Sequence, residues 1–309
     1  MADDLILRTY KDTNSIKEDV VLNAIEILTA TETMIFNMIS RTKAIATVHS
    51  YLTDELATAA SSAVAETGDY TAGTLTTPSR LTNLIEHVAR PFKVSRTEQL
   101  VEHYHNQNEL QRQTKKALKE WGNSAEFDLI RSTLVSGATG TTPKMSGLIE
   151  ACSKSSNHTS HTSGTTWAAS ILDGLMQENW DESNGDVATD LFMGSYLKAA
   201  TDSFTQKSNV VVNNPGGQTT IVRTVTTYET SFGTLTIHKH RYVQQSGDAT
   251  GRVLGLRPEK LAVAFLEKPF VDTDLARSGD YDFRAVVGKL TLEVHNQDSN
   301  FFSDGFNIG

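Results

Sequence analysis

The chain has 309 residues, 38% of them apolar and 21% charged, with a net charge of −9 and a pI near 5.5. That length leaves room for about two domains and a sizeable core, while an acidic balance without any Lys or Arg run argues against nucleic-acid binding. Cys152 is the one cysteine, which excludes an internal disulfide framework and a multi-cysteine zinc site, and the opening MADDLILRTYKDTNS holds no apolar run suited to a signal peptide or a membrane span.

Residues 1–15 read as a polar, irregular arm. Ile16 to Ser40 reads as helical, with Ile16, Val20, Ala24, Ile27 and Leu28 at helical spacing and a second short helix through Met34, Ile35, Met38 and Ile39. This part either packs on the body or reaches a neighbour as an arm.

Ala44 to Tyr51 reads as a strand, and TDELATAASSAVAETGDYTAGTLTTPSR follows, poor in large apolar residues. Arg80 to Val94 is a second extended run, rich in β-formers. Leu81, Ile85 and Ala89 share one face with Asn83 and His87, while Thr82, Leu84 and Val88 share the other with Glu86 and Arg90. A strand mixed on both faces buries neither cleanly in its own domain. Two such strands around a small-residue tip predict a long projecting hairpin. An isolated hairpin is marginal in water, so it is expected to lie on something else; the alternative is a surface loop.

His105 to Val135 is expected to form one long amphipathic helix. Leu110, Ala117, Leu118, Trp121, Ala125, Leu129 and Ile130 recur at three- and four-residue steps, extended by Phe127 and Leu134. Glu109, Arg112, Lys115, Lys116, Lys119, Glu126 and Arg131 occupy the opposite face. At about 1.5 Å per residue the run would span roughly 45 Å, long for a globular protein, so it reads as a strut.

Residues 136–166 read as a low-complexity loop anchored by Leu148, Ile149 and Ala151. Beyond it, Thr166 caps a helix through Trp167, Ile171, Leu175 and Met176; Val187 to Met193 reads as a buried strand, and Gly194-Ser195 opens another helix. That order suggests an α/β sub-domain. Thr219–Tyr228 and Thr234–Val243 predict a hairpin, Arg252–Leu256 and Leu261–Phe265 short strands, and Phe283–Val294 a final strong strand. A strand returning so late suggests that the domain holding the long helix is discontinuous in sequence. The fold class is α+β.

The search for chemistry returns little. His103/His105, His158/His161 and His238/His240 have metal-like spacings, but no acids accompany the middle pair and the last shares a strand face with Thr234 and Thr236 that looks solvated. No HExxH, paired CxxC, DxDxDG, phosphate-loop or GxSxG pattern occurs, and Cys152 has no evident base partner. No catalytic, cofactor or metal residue is assigned, and an enzyme is not expected.

Several runs, in this order and spacing, resemble the tailed-phage major capsid proteins of the Hong Kong 97 fold. They are Ala65-Glu66-Thr67-Gly68-Asp69-Tyr70 at the hairpin tip, Leu81-Thr82-Asn83-Leu84-Ile85 and Phe92-Lys93-Val94-Ser95-Arg96-Thr97 on its return, and Ala125-Glu126-Phe127-Asp128-Leu129-Ile130 in the strut. They continue with Met145-Ser146-Gly147-Leu148-Ile149, Ser231-Phe232-Gly233-Thr234-Leu235, Leu275-Ala276-Arg277-Ser278-Gly279-Asp280 and Gly288-Lys289-Leu290-Thr291-Leu292-Glu293-Val294-His295-Asn296. The resemblance covers nearly the whole chain and implies an N-terminal arm (1–45), an extended hairpin or E-loop (46–94), a peripheral domain (95–144 and 276–309) with the strut as spine helix, and an axial domain (145–275).

It implies a subunit that self-assembles as hexamers and pentamers into an icosahedral shell around a phage genome, located in the virion and made in the host cytoplasm. Assembly contacts are expected at Glu66, Asp69, Tyr70, Arg80, Arg90 and Arg96. Partners would be the protein itself, with portal, scaffold and cement proteins, and enclosed DNA bound without sequence specificity; no cofactor or membrane is implied. Only about 45 residues precede the hairpin, so scaffolding is expected from a separate protein or from a segment already cleaved. A decoration or tail component, or a soluble α+β enzyme or ligand-binding protein, would be the competing readings.

Overall fold

The computed structural model describes residues 33–308 except 58, 62, 65, 67, 69–72, 74, 76, 102–107, 205–210, 214–218, 222–224, 246 and 277–278. The expected helix from Ile16 lies outside these residues up to position 32. In chain order the elements are α1 (Met34–Met38), β1 (Ser40–Lys43), β2 (Val48–Thr53), β3 (Ser79–Leu84), β4 (Glu86–Ser95), α2 (Arg96–Leu100), α3 (Glu109–Arg131), α4 (Leu148–Ser153), β5 (His158–Thr165) and α5 (Ala169–Glu182). They continue with β6 (Asp190–Met193), α6 (Ser195–Asp202), β7 (Val211–Asn213), β8 (Thr219–Ile221), β9 (Thr227–Thr230), β10 (Gly233–Lys239), β11 (Gly251–Leu256), β12 (Leu261–Asp272), β13 (Tyr281–Val294) and β14 (Phe301–Phe306).

Two sheets carry the molecule. One has four strands in the order β1-β12-β13-β4, with the long helix α3 packed on β4 and β13; the other has six in the order β5-β14-β11-β6-β10-β9. The hairpin β2-β3 stands apart from both.

Helix α3 runs for 23 residues, and local chemistry sets its ends. The Asn108 side chain accepts the Gln111 amide at 3.0 Å, and Glu109 and Arg131 complement the helix dipole at the first and last turns. At Ser132 the backbone turns extended, and Val135 exchanges backbone hydrogen bonds with Lys144. The helix therefore stops before the expected Val135, which leaves Leu134 exposed, as is Leu118. Ala117, Trp121, Ala125, Leu129 and Ile130 form the buried stripe. Glu126, placed by periodicity on the solvent face, is fully buried with them.

The Trp121 indole donates to the Val88 carbonyl of β4 at 2.9 Å and meets Phe36 edge-on. It lies over Gly288 of β13, where a Cβ would stand 2.5 Å from the ring. Glycine at 288 is thus what lets the strut approach the sheet.

The extended run 80–94 is two strands rather than one. It breaks at Ile85, which is buried with Ala44 and Ala264. Before the break β3 pairs with β2, and after it β4 pairs with β13 from Glu86↔Leu290 to Ser95↔Tyr281. The mixed faces follow from two partners with different buried sides. Pro91 is tolerated because β4 is an edge strand.

Strand pairing also decides which sheet each late segment joins. Leu261–Asp272, expected with the axial part, pairs with β13 in the four-stranded sheet. Phe301–Phe306, expected with the peripheral part, pairs with β11 and β5 in the six-stranded sheet. Both follow from burial: Leu261 and Val263 pack under the long helix, whereas Phe301 and Phe306 join Trp167, Leu172 and Met176. The stretch 136–166 is not simply a loop either, since it holds α4 and β5. β5 lacks large apolar side chains and is held by β14, whose Phe302 and Phe306 meet the rings of His158 and His161.

Trp121→Ala should remove about 3–5 kcal/mol of stability, as expected for a fully buried aromatic. Urea unfolding of the isolated subunit measures it. A variant that unfolds at the wild-type midpoint would place the indole outside the core.

Candidate assembly interface

The projecting hairpin is anchored at its root by buried polar groups. Asn83 uses all its hydrogen-bonding capacity. Its Nδ2 donates to the carbonyls of Leu292 (2.9 Å) and Ser146 (3.1 Å), and its Oδ1 accepts the amides of Ser146 and Leu84, each at 2.9 Å. Glu86, one step beyond the break, accepts the Ser132 hydroxyl at 2.9 Å and the Met145 amide at 3.2 Å. On the other strand, the buried Glu293 of β13 receives Thr42 and His49, each at 2.6 Å, and stands 3.2 Å from His295. The Tyr51 hydroxyl accepts the Val294 amide. These contacts tie β2 and β3 to the end of β13 and to the chain leaving α3.

Beyond the root the hairpin has little of its own chain to rest on. Among the described residues beyond the root, Leu52, Leu56, Val64 and Leu75 all face solvent, Leu56 being 99% exposed and Leu75 91%, and at its base Ile45 and Val48 are exposed as well. Solvent-facing apolar side chains this dense on one element mark an interaction surface. The tip from 54 to 79 carries Asp54, Glu55, Glu66 and Asp69 and no Lys, Arg or His.

The six residues expected at contacts divide among different places. Glu66 is exposed on the tip, while Asp69 and Tyr70 lie outside the described residues. Arg80 is exposed on β3 and donates across the hairpin to the Ser50 hydroxyl at 2.9 Å. Arg90 is not on the hairpin: it sits on β4 and donates to the Ser124 hydroxyl of α3. Arg96 opens α2 below the sheet, where its amide donates to the Asp280 carbonyl and Ser95 caps the turn.

A second polar centre lies beneath α3. The buried Glu126 carboxylate accepts the amides of Ile35 and Phe36, each at 2.8 Å, at the start of α1. It also accepts from His240 Nε2 at 3.0 Å, from the segment after β10. His240 Nδ1 accepts the Tyr242 amide, so the ring presents Nε2–H to the carboxylate. The face carrying His238 and His240, which looked solvated, therefore carries one fully enclosed imidazole, and His238 pairs with Asp190 at 2.9 Å. One turn along, Arg131 makes a two-pronged contact with Asp248 at 2.7 and 2.9 Å. Both contacts join the long helix to the segments that follow β10. His103 and His105 lie outside the described residues. Among the described residues no cluster of three or more His, Cys, Asp and Glu could hold a metal. Cys152 is buried, which pushes its thiol up to about 12 and leaves it inert.

Asp128 stands half-buried on α3. Burial, and then the nearby Glu86 carboxylate, raise its pKa from 3.8 to about 6, partly offset by Lys144 and Arg90.

The sequence matches the family model described as SU10 major capsid protein over residues 8–305. The chain belongs to that family. It is a major capsid protein, the self-assembling subunit of an icosahedral phage shell, and its location is the virion capsid. No curated protein matches it in sequence. In fold it is similar to the capsid of a native GTA particle, at 10% identity and a TM-score of 0.66, covering 98% of this chain and 100% of that one. The capsid of Myoviridae phage XM1 is similar at 14% identity and a TM-score of 0.60, covering 93% and 96%. The SrpI encapsulin of Synechococcus elongatus PCC 7942 is similar at 13% identity and a TM-score of 0.60, covering 94% of each. At these identities the likeness shows the fold, which is that of Hong Kong 97.

Two substitutions probe the capsid protein's polar centres. Glu126→Ala should leave two amides and the His240 N–H without an acceptor, at about 1–3 kcal/mol for each orphaned group; denaturant titration measures the loss. Asp128 holds its proton more tightly when folded, so its contribution favours folding at low pH and is lost as pH rises from about 4 through about 6. Asp128→Asn should therefore gain about 1–2 kcal/mol over wild type above pH 6, allowing for solvent screening, and little below pH 4. Thermal melts of both proteins from pH 4 to 8 give the difference. A difference independent of pH would contradict the raised pKa.

Proposed function

We propose that the hairpin is the E-loop of this capsid protein and that it lies across a neighbouring subunit in the shell. The observation that carries this reading is the contrast within the hairpin. Its root is anchored through Asn83, Glu86 and Glu293, while four apolar side chains beyond it, Leu52, Leu56, Val64 and Leu75, have no cover among the described residues of their own chain. A rigid root with an uncovered apolar arm suits an element whose partner is another copy.

The remaining parts take roles around it. Strands β4, β12 and β13 with α3 form the peripheral domain, from residues 86–144 and 261–297, and β1 of the arm adds the fourth strand of their sheet. The six-stranded sheet with α5 and α6 forms the axial domain, from 145–256 together with 298–309, and meets its copies around the five- and six-fold axes. Residues 1–45 form the N-terminal arm. The copies build the shell as hexamers and pentamers, through many weak repeated interfaces. Arg80 and Glu66 contribute from the hairpin, and Arg90 and Arg96 from the peripheral domain. Asp69 and Tyr70, beside Glu66 in sequence, complete the tip contact.

The protein's role is structural rather than catalytic. Its acidic charge suits a container that releases its DNA, because sequence-independent phosphate contacts would oppose ejection. Synthesis in the host cytoplasm, a portal, a scaffold and cement proteins complete the reading, with the arm and hairpin re-aiming as the shell matures.

Deletion of residues 55–79 should leave folded, soluble subunits that fail to close shells, by negative-stain imaging and sedimentation. Normal particles from the deletion would overturn the E-loop assignment. Rings, tubes or stable monomers from the wild-type chain would point instead to a tail or decoration role.

A further inference from the structure

A pocket of about 590 Å³ opens at the outer edge of the four-stranded sheet, lined by Phe36, Arg41, Thr42, Lys43, Phe265, Leu266, Lys268 and Pro269. Its chemistry is unusual for a chain with net charge −9. Arg41, Lys43 and Lys268 are among its lining, and among the described residues none of them pairs with a carboxylate; Arg41 lies over the Phe36 ring at 5.4 Å and donates to the Asn37 side chain at 3.5 Å. Phe36, Phe265, Leu266 and Pro269 supply apolar lining. β1 forms the sheet's edge, all four of its residues are exposed, and its described pairing is to β12 alone. An edge strand with open backbone groups beside an apolar, cationic pocket is suited to an extended, acidic segment with one apolar anchor.

The chain contains such a segment. Asp54-Glu55-Leu56 follows β2 directly, in residues assigned neither helix nor strand, and begins a tip that holds four acids and no base. Leu56 is 99% exposed, so it does not fill the pocket of its own subunit. We propose that the pocket edged by β1 receives Asp54, Glu55 and Leu56 from the hairpin of a neighbouring copy. Leu56 enters between Phe36, Phe265 and Pro269, and the two carboxylates meet Arg41, Lys43 and Lys268. The proposal rests on the reading of the hairpin as an arm that crosses to another subunit, and it names the surface that arm finds. Charge selects the register here: the acidic start of the tip is drawn to cations that have no carboxylate partner among the described residues, and a like-charged approach is penalised.

Charge exchange tests it, because every copy carries both halves. Lys43→Glu with Lys268→Glu should lower shell yield at least roughly tenfold, the effect of about 1.4 kcal/mol at an interface. The subunit should keep its fold by circular dichroism, since exposed positions are altered. Asp54→Lys with Glu55→Lys should do the same, and the four changes together should restore shells. Leu56→Ser, at a position without contacts in its own subunit, should also lower yield and cannot act by unfolding the core. Wild-type yield from the pocket pair or from Leu56→Ser, or no rescue by the four-fold variant, would overturn the pocket as receptor. If shells still fail on deletion of residues 55–79, the hairpin reading survives and only its docking site is wrong. If that deletion also assembles normally, the hairpin reading itself falls.

Discussion

One buried carboxylate holds the centre of the subunit. Glu126 lies near the middle of the long helix, closed off from water, and accepts two amides from α1 and one N–H from His240. A lone carboxylate in an apolar interior is costly, and the cost is met only while all its donors are in place. The acceptor on the long helix and its donors, at the start of α1 and in the segment after β10, bring three separate parts of the chain together. The interaction therefore specifies how these parts meet, and an apolar residue at 126 would accept none of these donors. Arg131 with Asp248 repeats the connection one turn further along. The two sheets share the long helix as a rail, and these polar contacts set where along the rail the second sheet sits.

The same logic recurs at the hairpin root. Asn83 has no unsatisfied atom, and Glu86 and Glu293 each gather donors from different segments. Polar groups suit this place because they define one angle of departure, where an apolar contact would tolerate several. The arm beyond can then remain bare. Its apolar side chains would be an aggregation hazard on an ordinary monomer; under the proposed E-loop role they are surface kept for the next subunit. Buried polar anchoring is thus concentrated at the root and along the helix, and exposed apolar surface on the arm.

The sequence carried the long helix plainly, because its apolar stripe repeats with the helical period and needs no distant partner to be visible. It misassigned Glu126, since a glutamate on a polar stripe and a glutamate capping another helix look alike until the other helix is placed. His240 was misread for the same reason. The run 80–94 showed a symptom without its cause: mixed faces signalled an unusual strand, yet the switch of partner at Ile85 depends on β2 and β13, which are far away in sequence. β5 was hidden by its Ser- and Thr-rich composition, because what makes it a strand is pairing with β14 at the other end of the chain. Of the residues expected at contacts, Arg80 and Glu66 lie on the arm, whereas Arg90 belongs to the sheet beneath the helix.

The sequence by itself determined the local elements, the acidic and small-residue character of the tip, and, through the order of its motifs, the capsid family. The first two, β5 excepted, are properties of periodicity and composition, which act over a few residues at a time, while the family rests on the resemblance of those ordered runs. Only the tertiary structure decided which strands share a sheet, where Leu261–Asp272 and Phe301–Phe306 belong, and which polar residues are enclosed. Those outcomes depend on pairings between segments more than a hundred residues apart, such as Phe302 with His158 or Thr42 with Glu293, and burial at such a pairing is a property of both partners together.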